Sequence, residues 1–132
     1  MKEVYKVGAI IIKDKKLLVV KERGVDVFIS VGGRPKKSET PVETLTRELK
    51  EELNVELTYA KPFGKFSAEA IGNYDWINMD AYFVEVAGEI KPSSEIEDFY
   101  WVGKDYKQKN IRLAPLLEKV IVPKLIQMRL IE

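Results

Sequence analysis

Three glutamates, Glu48, Glu51 and Glu52, occupy positions i, i+3 and i+4 of a segment with helical apolar spacing. A helix there would gather them into roughly one quadrant of its surface. Glu48 and Glu52 would border the apolar stripe, on the side of Leu45, rather than the middle of the solvated face. Like charges at this spacing cost a helix roughly 0.2–0.5 kcal/mol per pair. Two arrangements offset that repulsion. One is ion pairing with Arg47 and Lys50, the ordinary state of a charged helix face. The other is a divalent cation, held by carboxylates and water and binding phosphate oxygens in turn.

The rest of the composition limits the chemistry further. The chain has no cysteine and no histidine. Thiolate nucleophiles, disulfides, Cys-ligated zinc, a Ser-His-Asp triad and imidazole ligands are therefore excluded. Carboxylates, lysines and tyrosines remain, and such hard oxygen donors select Mg²⁺ or Mn²⁺. Charged residues make up 33% of the chain, yet the formal net charge is only +1. That balance gives no support for a nucleic-acid polymer as partner. The apolar run in MKEVYKVGAIIIKDKK is too short for a signal-peptide core or a membrane span. No membrane partner is expected, and the cytoplasm is the expected compartment.

The glutamates need a scaffold, and the flanking residues supply one. Thr40-Pro41-Val42-Glu43 pairs a capping threonine with proline at the first helical position and glutamate three residues on. Val42, Leu45, Leu49 and Leu53 then form one apolar stripe. Asn54 follows and tolerates the left-handed backbone of a helix end. The helix is expected from Pro41 to Leu53. Before it, Val4–Ile12 and Leu17–Lys21 read as a β-hairpin, and Val25–Val31 as a strand ending at Gly32-Gly33. After it, strands are expected near Thr58–Ala70, Trp76–Val86 and Phe99–Val102. A helix from about Leu113 should be kinked or split by Pro123. This order predicts one α/β (α+β) domain over residues 1–132, a mixed sheet sandwiched between helices. Parallel pairing is expected between the strands flanking the first helix.

The spacing around the glutamates is more specific than the glutamates themselves. It reads Gly33, five residues, Glu39, seven residues, Arg47-Glu48-Leu49, one residue, Glu51-Glu52, one residue, Asn54-Val55. This resembles the Nudix box, G-x5-E-x7-R-E-U-x-E-E-x-G-U, over residues 33–55, with Asn54 in place of the second glycine. Arg34 stands where a lysine often follows the paired glycines, and Val31 where a proline often precedes them. The resemblance is to mutator-T-like nucleoside diphosphate-X pyrophosphohydrolases and implies the Nudix fold. It implies Mg²⁺, with Mn²⁺ as a substitute, held by Glu48, Glu51 and Glu52, with water attacking a phosphorus. The general base is then Glu48 or Glu95, the latter on a later loop beside Glu97. Arg47 and Glu39 are implied as structural support. Gly32, Gly33, Arg34, Arg23 and Phe28 are the expected substrate contacts, with Lys36 and Lys37 adding charge to the loop.

Among the aromatics Phe28, Tyr74, Trp76, Tyr82 and Phe83, one or two are expected to stack on a base. The sequence lacks the proline about fifteen residues past the box found in ADP-ribose cleavers and the SQPWPFP-like run of NADH cleavers. By elimination the implied substrate is a small nucleotide: a nucleoside triphosphate, oxidised or not, cleaved to monophosphate and pyrophosphate. The alternatives are a nucleotide sugar, an ADP-ribose-like substrate, or a domain that senses nucleotides without cleaving them. The resemblance is also compatible with a homodimer.

Overall fold

The computed structural model describes residues 1–132. Its strands are β1 (Glu3–Ile10), β2 (Ile12–Lys13), β3 (Lys16–Glu22), β4 (Ile29–Gly33), β5 (Glu56–Glu69), β6 (Trp76–Ala87) and β7 (Ile96–Val102). Helix α1 spans Pro41–Leu53, and a π-helical turn, Leu116–Ile121, runs into α2, Val122–Gln127. The strands follow the order β2-β3-β4-β1-β6-β5, with β7 also paired to β3. No helix is long and apolar enough to cross a membrane.

Alternation along the strands divides the core in two, as a sheet covered on both faces requires. Val7, Ala9, Leu18, Val20 and Val31 pack against Leu45, Leu49 and Leu53 of α1. Ile10, Leu17, Val19, Met79 and Ala81 point the other way, onto Leu116, Leu117, Ile121 and Leu125. The three α1 leucines have no exposed surface, which stabilises the fold by roughly 5–9 kcal/mol before entropy is counted. Val42, the first residue of the expected stripe, is exposed instead.

Helix α1 starts with the full capping box: Thr40 accepts from the Glu43 N–H, and Glu43 accepts from the Thr40 N–H. It ends at Asn54, whose backbone is left-handed (φ 58°, ψ 36°). At the C-terminal segment, Pro123 has no N–H to offer Lys119. The preceding turn widens so that the Val122 N–H reaches Leu117 O, splitting the helix.

Two expectations about the sheet need correction. The parallel pair is not formed by the strands that flank α1. It is β1 with β6, from Glu3↔Trp76 to Ile10↔Phe83, and β1 separates β4 from β6. Residues 25–28 are not strand: the Phe28 N–H donates to Arg112 O at 2.9 Å, and Phe28 O accepts from Ala114 at 2.9 Å. The chain joins the sheet only at Ile29, so Gly32 and Gly33 lie inside β4.

Candidate active site

Gly32 and Gly33 bring β4 against both β1 and α1. Gly32 pairs with Gly8 at φ +133°, and a side chain on it would collide with Val7 O. A Cβ on Gly33 would lie 2.5 Å from the Glu48 carboxyl carbon. The glycines therefore let the Glu48 side chain lie directly against the β4 backbone. From there residues 34–39 lead into α1, held by Arg47. Its Nε and Nη2 form a two-pronged pair with Glu39 (2.7 and 2.9 Å), Nη1 donates to Glu48 at 2.6 Å, and Nη2 reaches Arg34 O at 3.1 Å. Hydrogen bonds from Arg47 and then from the Lys36 N–H hold the Glu39 carboxyl down at about 2.

The result is a polar cleft of about 610 Å³ between β3, β4, α1 and the loop before β7. Glu22, Glu48, Glu52 and Glu95 line it, with Lys6 and Arg34 as its cations. Glu52 is partly buried, and its pKa is pushed up to about 8, first by desolvation, then by Glu48, Glu22 and Glu95. Glu22 is raised too, first by burial and then by Glu95 against the lowering pull of Lys6. Carboxyls raised first by burial and then by their acidic neighbours mark a cavity short of positive charge.

That donor set fits a hard divalent cation: oxygen ligands only, several of them anionic, on rigid elements. No three carboxylates converge on one point, so ion binding would draw Glu48, Glu52 and their neighbours together.

The remaining expected site residues are dispersed. Glu51 is half exposed outside the cleft lining, its carboxylate 3.5 Å from Arg47 Nη1. Arg23 turns away, its guanidinium donating to Ser94 O at 2.6 Å, and so buttresses the Glu95 loop. Phe28 lines neither the cleft nor its neighbouring pocket; it packs on Tyr100, ring centres 6.2 Å apart. Sequence reasoning missed Lys6, Glu22 and Ser30. Their only signal was a polar side chain beside apolar neighbours in a strand.

Beside the polar cleft lies an apolar pocket of about 590 Å³. The two share Lys6, Ile29, Ser30, Gly32 and Gly33. Ile77, Met79, Leu116 and Leu117 form its walls, and Glu69 and Tyr74 stand among its lining. Two cations lie near the Tyr74 ring, with Lys2 Nζ 5.1 Å and the Arg34 guanidinium carbon 5.7 Å from its centre.

The family model for the NUDIX domain matches residues 2–119. The chain belongs to the Nudix family. Membership, with the box glutamates retained, makes it a pyrophosphohydrolase. Similar solved structures include the E. coli ORF135 protein in solution, 23% identical with a TM-score of 0.67 over 97% of this chain and 91% of that one. A structure from a study of MutT from Aliivibrio salmonicida and Vibrio cholerae is 21% identical, TM-score 0.72, covering 96% and 99%. A UDP-X diphosphatase is 21% identical, TM-score 0.67, covering 96% of this chain and 61% of that one. At these identities the likeness is one of fold. No curated protein matches the sequence.

Proposed function

We propose that this Nudix enzyme hydrolyses a nucleoside triphosphate to the monophosphate and pyrophosphate, with Mg²⁺ as cofactor. The observation that carries this reading is the junction of the two cavities. An apolar pocket opens, across Lys6 and the paired glycines, onto a cleft lined by four glutamates. With a divalent cation among those glutamates, a ligand filling both would be apolar at one end and carry anionic oxygens at the other. A nucleotide has that form.

In this reading the nucleoside lies against Ile77, Met79 and Leu117, and Lys6 and Arg34 meet the phosphates as they leave the pocket. Glu48 and Glu52, with Glu51 drawn in, hold Mg²⁺, which when bound neutralises phosphoryl oxygens and acidifies water. Arg47 fixes one Glu48 oxygen, leaving the other for a ligand. The water oxygen bonds to phosphorus as the phosphoanhydride between the α- and β-phosphates breaks, and Glu48 or Glu95 takes the proton of that water and later returns it to solvent.

The test is a product-resolved screen with Mg²⁺ against the common ribo- and deoxyribonucleoside triphosphates, 8-oxo-dGTP, UDP-glucose and ADP-ribose. Monophosphate and pyrophosphate from a triphosphate, lost in Glu52→Gln, is the expected result. Turnover confined to UDP-glucose or ADP-ribose would replace the substrate class, and no turnover of any phosphoanhydride would sink the reading.

A further inference from the structure

The one residue at which this box departs from the family pattern carries a set of contacts that glycine could not make. Asn54 adopts the left-handed backbone the position requires, at a conformational cost a glycine would avoid. In return its Nδ2 donates to Lys91 O at 2.6 Å and to Ser93 Oγ at 3.1 Å. Ser93 completes the connection: its hydroxyl donates to Glu51 O at 2.6 Å and its N–H to Glu52 O at 2.9 Å. The Lys91 N–H meets Leu53 O at 2.9 Å. Three carbonyls at the C-terminus of α1, which a helix leaves without internal partners, are thus bound by one loop.

That loop is the one that carries Glu95. Past Ser93 it turns sharply, with Ser94 at φ 59° and the Ile96 N–H on Ser93 O at 3.1 Å. On its far side Arg23 holds Ser94 O through its guanidinium and Glu95 O through its N–H (2.6 and 3.0 Å). Fastened to α1 on one side and to β3 on the other, the loop presents Glu95 to the cleft that Glu48 and Glu52 line.

We infer that Asn54 is a positioning residue for Glu95, tying the loop at residues 91–96 to the end of the helix that bears the box glutamates. The inference rests on the hydrolytic reading above only for its effect on rate; the tie itself is testable without any substrate. Two long side chains converging from separate elements lose rate steeply when one element drifts, roughly 100-fold for an ångström of displacement.

Asn54→Gly keeps the left-handed turn while deleting both donors. In metal-free protein, amide exchange at Ser93 and Ile96 should accelerate by roughly 10-fold or more relative to α1 amides, as one strand of a local tie is lost. With Mg²⁺ and dGTP, or the screened nucleotide turned over fastest, kcat should fall roughly 10- to 100-fold with KM little changed. The same substitution in a Glu95→Gln background should add almost nothing, because the residue it positions is already disabled. Ser93→Ala, which leaves Asn54 its Lys91 bond, should give an intermediate loss. Unchanged exchange at Ser93 and Ile96 would overturn the tie. Full kcat in Asn54→Gly, full kcat in Glu95→Gln, or a loss that multiplies on top of Glu95→Gln would overturn the positioning role while leaving hydrolysis intact. Should wild-type protein hydrolyse nothing, the functional reading fails separately, and the exchange result still decides whether the tie exists.

Discussion

Removing the charge of Glu52 should stabilise this protein increasingly as pH rises from about 4.5 to about 8. Glu52 titrates near 8 in the folded chain instead of near 4.5, because it is desolvated beside Glu48, Glu22 and Glu95. Between those two values the folded state holds a proton that the unfolded state has released. Stability therefore falls as pH rises from about 4.5 to 8, and the full penalty persists above 8. A shift from 4.5 to about 8 corresponds to at most about 5 kcal/mol at 1.36 kcal/mol per unit. Partial exposure and relaxation of the acid cluster reduce this to roughly 2–3 kcal/mol. Glu52→Gln removes the penalty without changing side-chain size. In EDTA its Tm should match wild type near pH 5 and exceed it by roughly 6–12 °C at pH 9. Mg²⁺ should raise the wild-type Tm at pH 9 and leave the variant nearly unmoved, since the ion offsets the same repulsion. Scanning calorimetry at the two pH values, with and without Mg²⁺, reads all four states. An equal Tm difference at pH 5 and pH 9, or a variant less stable at pH 9, would refute the claim that an uncompensated charge resides there.

Lys6→Met should raise KM for a triphosphate by roughly 10- to 50-fold with a smaller change in kcat, the loss of one charge-assisted contact; the affinity of the matching nucleoside, measured by calorimetry, should stay the same. Gly33→Ala should abolish most activity yet fold, because its methyl displaces the Glu48 side chain, whereas Gly32→Ala should lower the Tm sharply, because its methyl meets strand backbone at a left-handed φ; activity and melting of the two variants together separate these cases. Arg47→Ala should destabilise by about 2 kcal/mol at neutral pH. It should also flatten acid unfolding: Glu39, held near 2 by Arg47, contributes stability above about 4.5 that is lost as pH falls toward 2, and the variant has little of it to lose, as circular dichroism between pH 2 and 6 would show.

Helix α1 was legible to the residue at both ends because its signals are local. Capping threonine, first-turn proline and terminal asparagine each act within a few positions. The box glutamates were legible as a group, but their individual placement was not. Glu51 and Glu52 are chain neighbours separated by about 100° around the helix, and only the packing of Leu45, Leu49 and Leu53 decides which one enters the cleft. Lys6 and Glu22 were invisible for a related reason: a charged residue in a strand points to solvent or to a cleft depending on what stands opposite. The pairing of β1 with β6 joins residues that no local pattern connects. Phe28 read as a substrate contact because it is an aromatic able to stack on a base, and its backbone bonds to Arg112 and Ala114 carried it elsewhere.

That pairing of β1 with β6 also bears on how the chain reaches this state. Val7 meets Asp80 across most of the chain's length, a parallel contact that no hairpin can nucleate, and closing so long a loop is entropically slow. The β5–β6 hairpin and the capped helix can form early, from neighbours in sequence. Lys6 and Gly8 cannot reach the cavity walls until β1 slots between β4 and β6. The functional cleft is thus completed late in folding, and refolding followed by nucleotide binding should lag refolding followed by helical signal. Substitutions in the small residues of this seam, such as Gly8 beneath Met79, would be expected to lengthen that lag, leaving the α1 leucines uncovered for longer and the chain prone to aggregate before it ever becomes an enzyme.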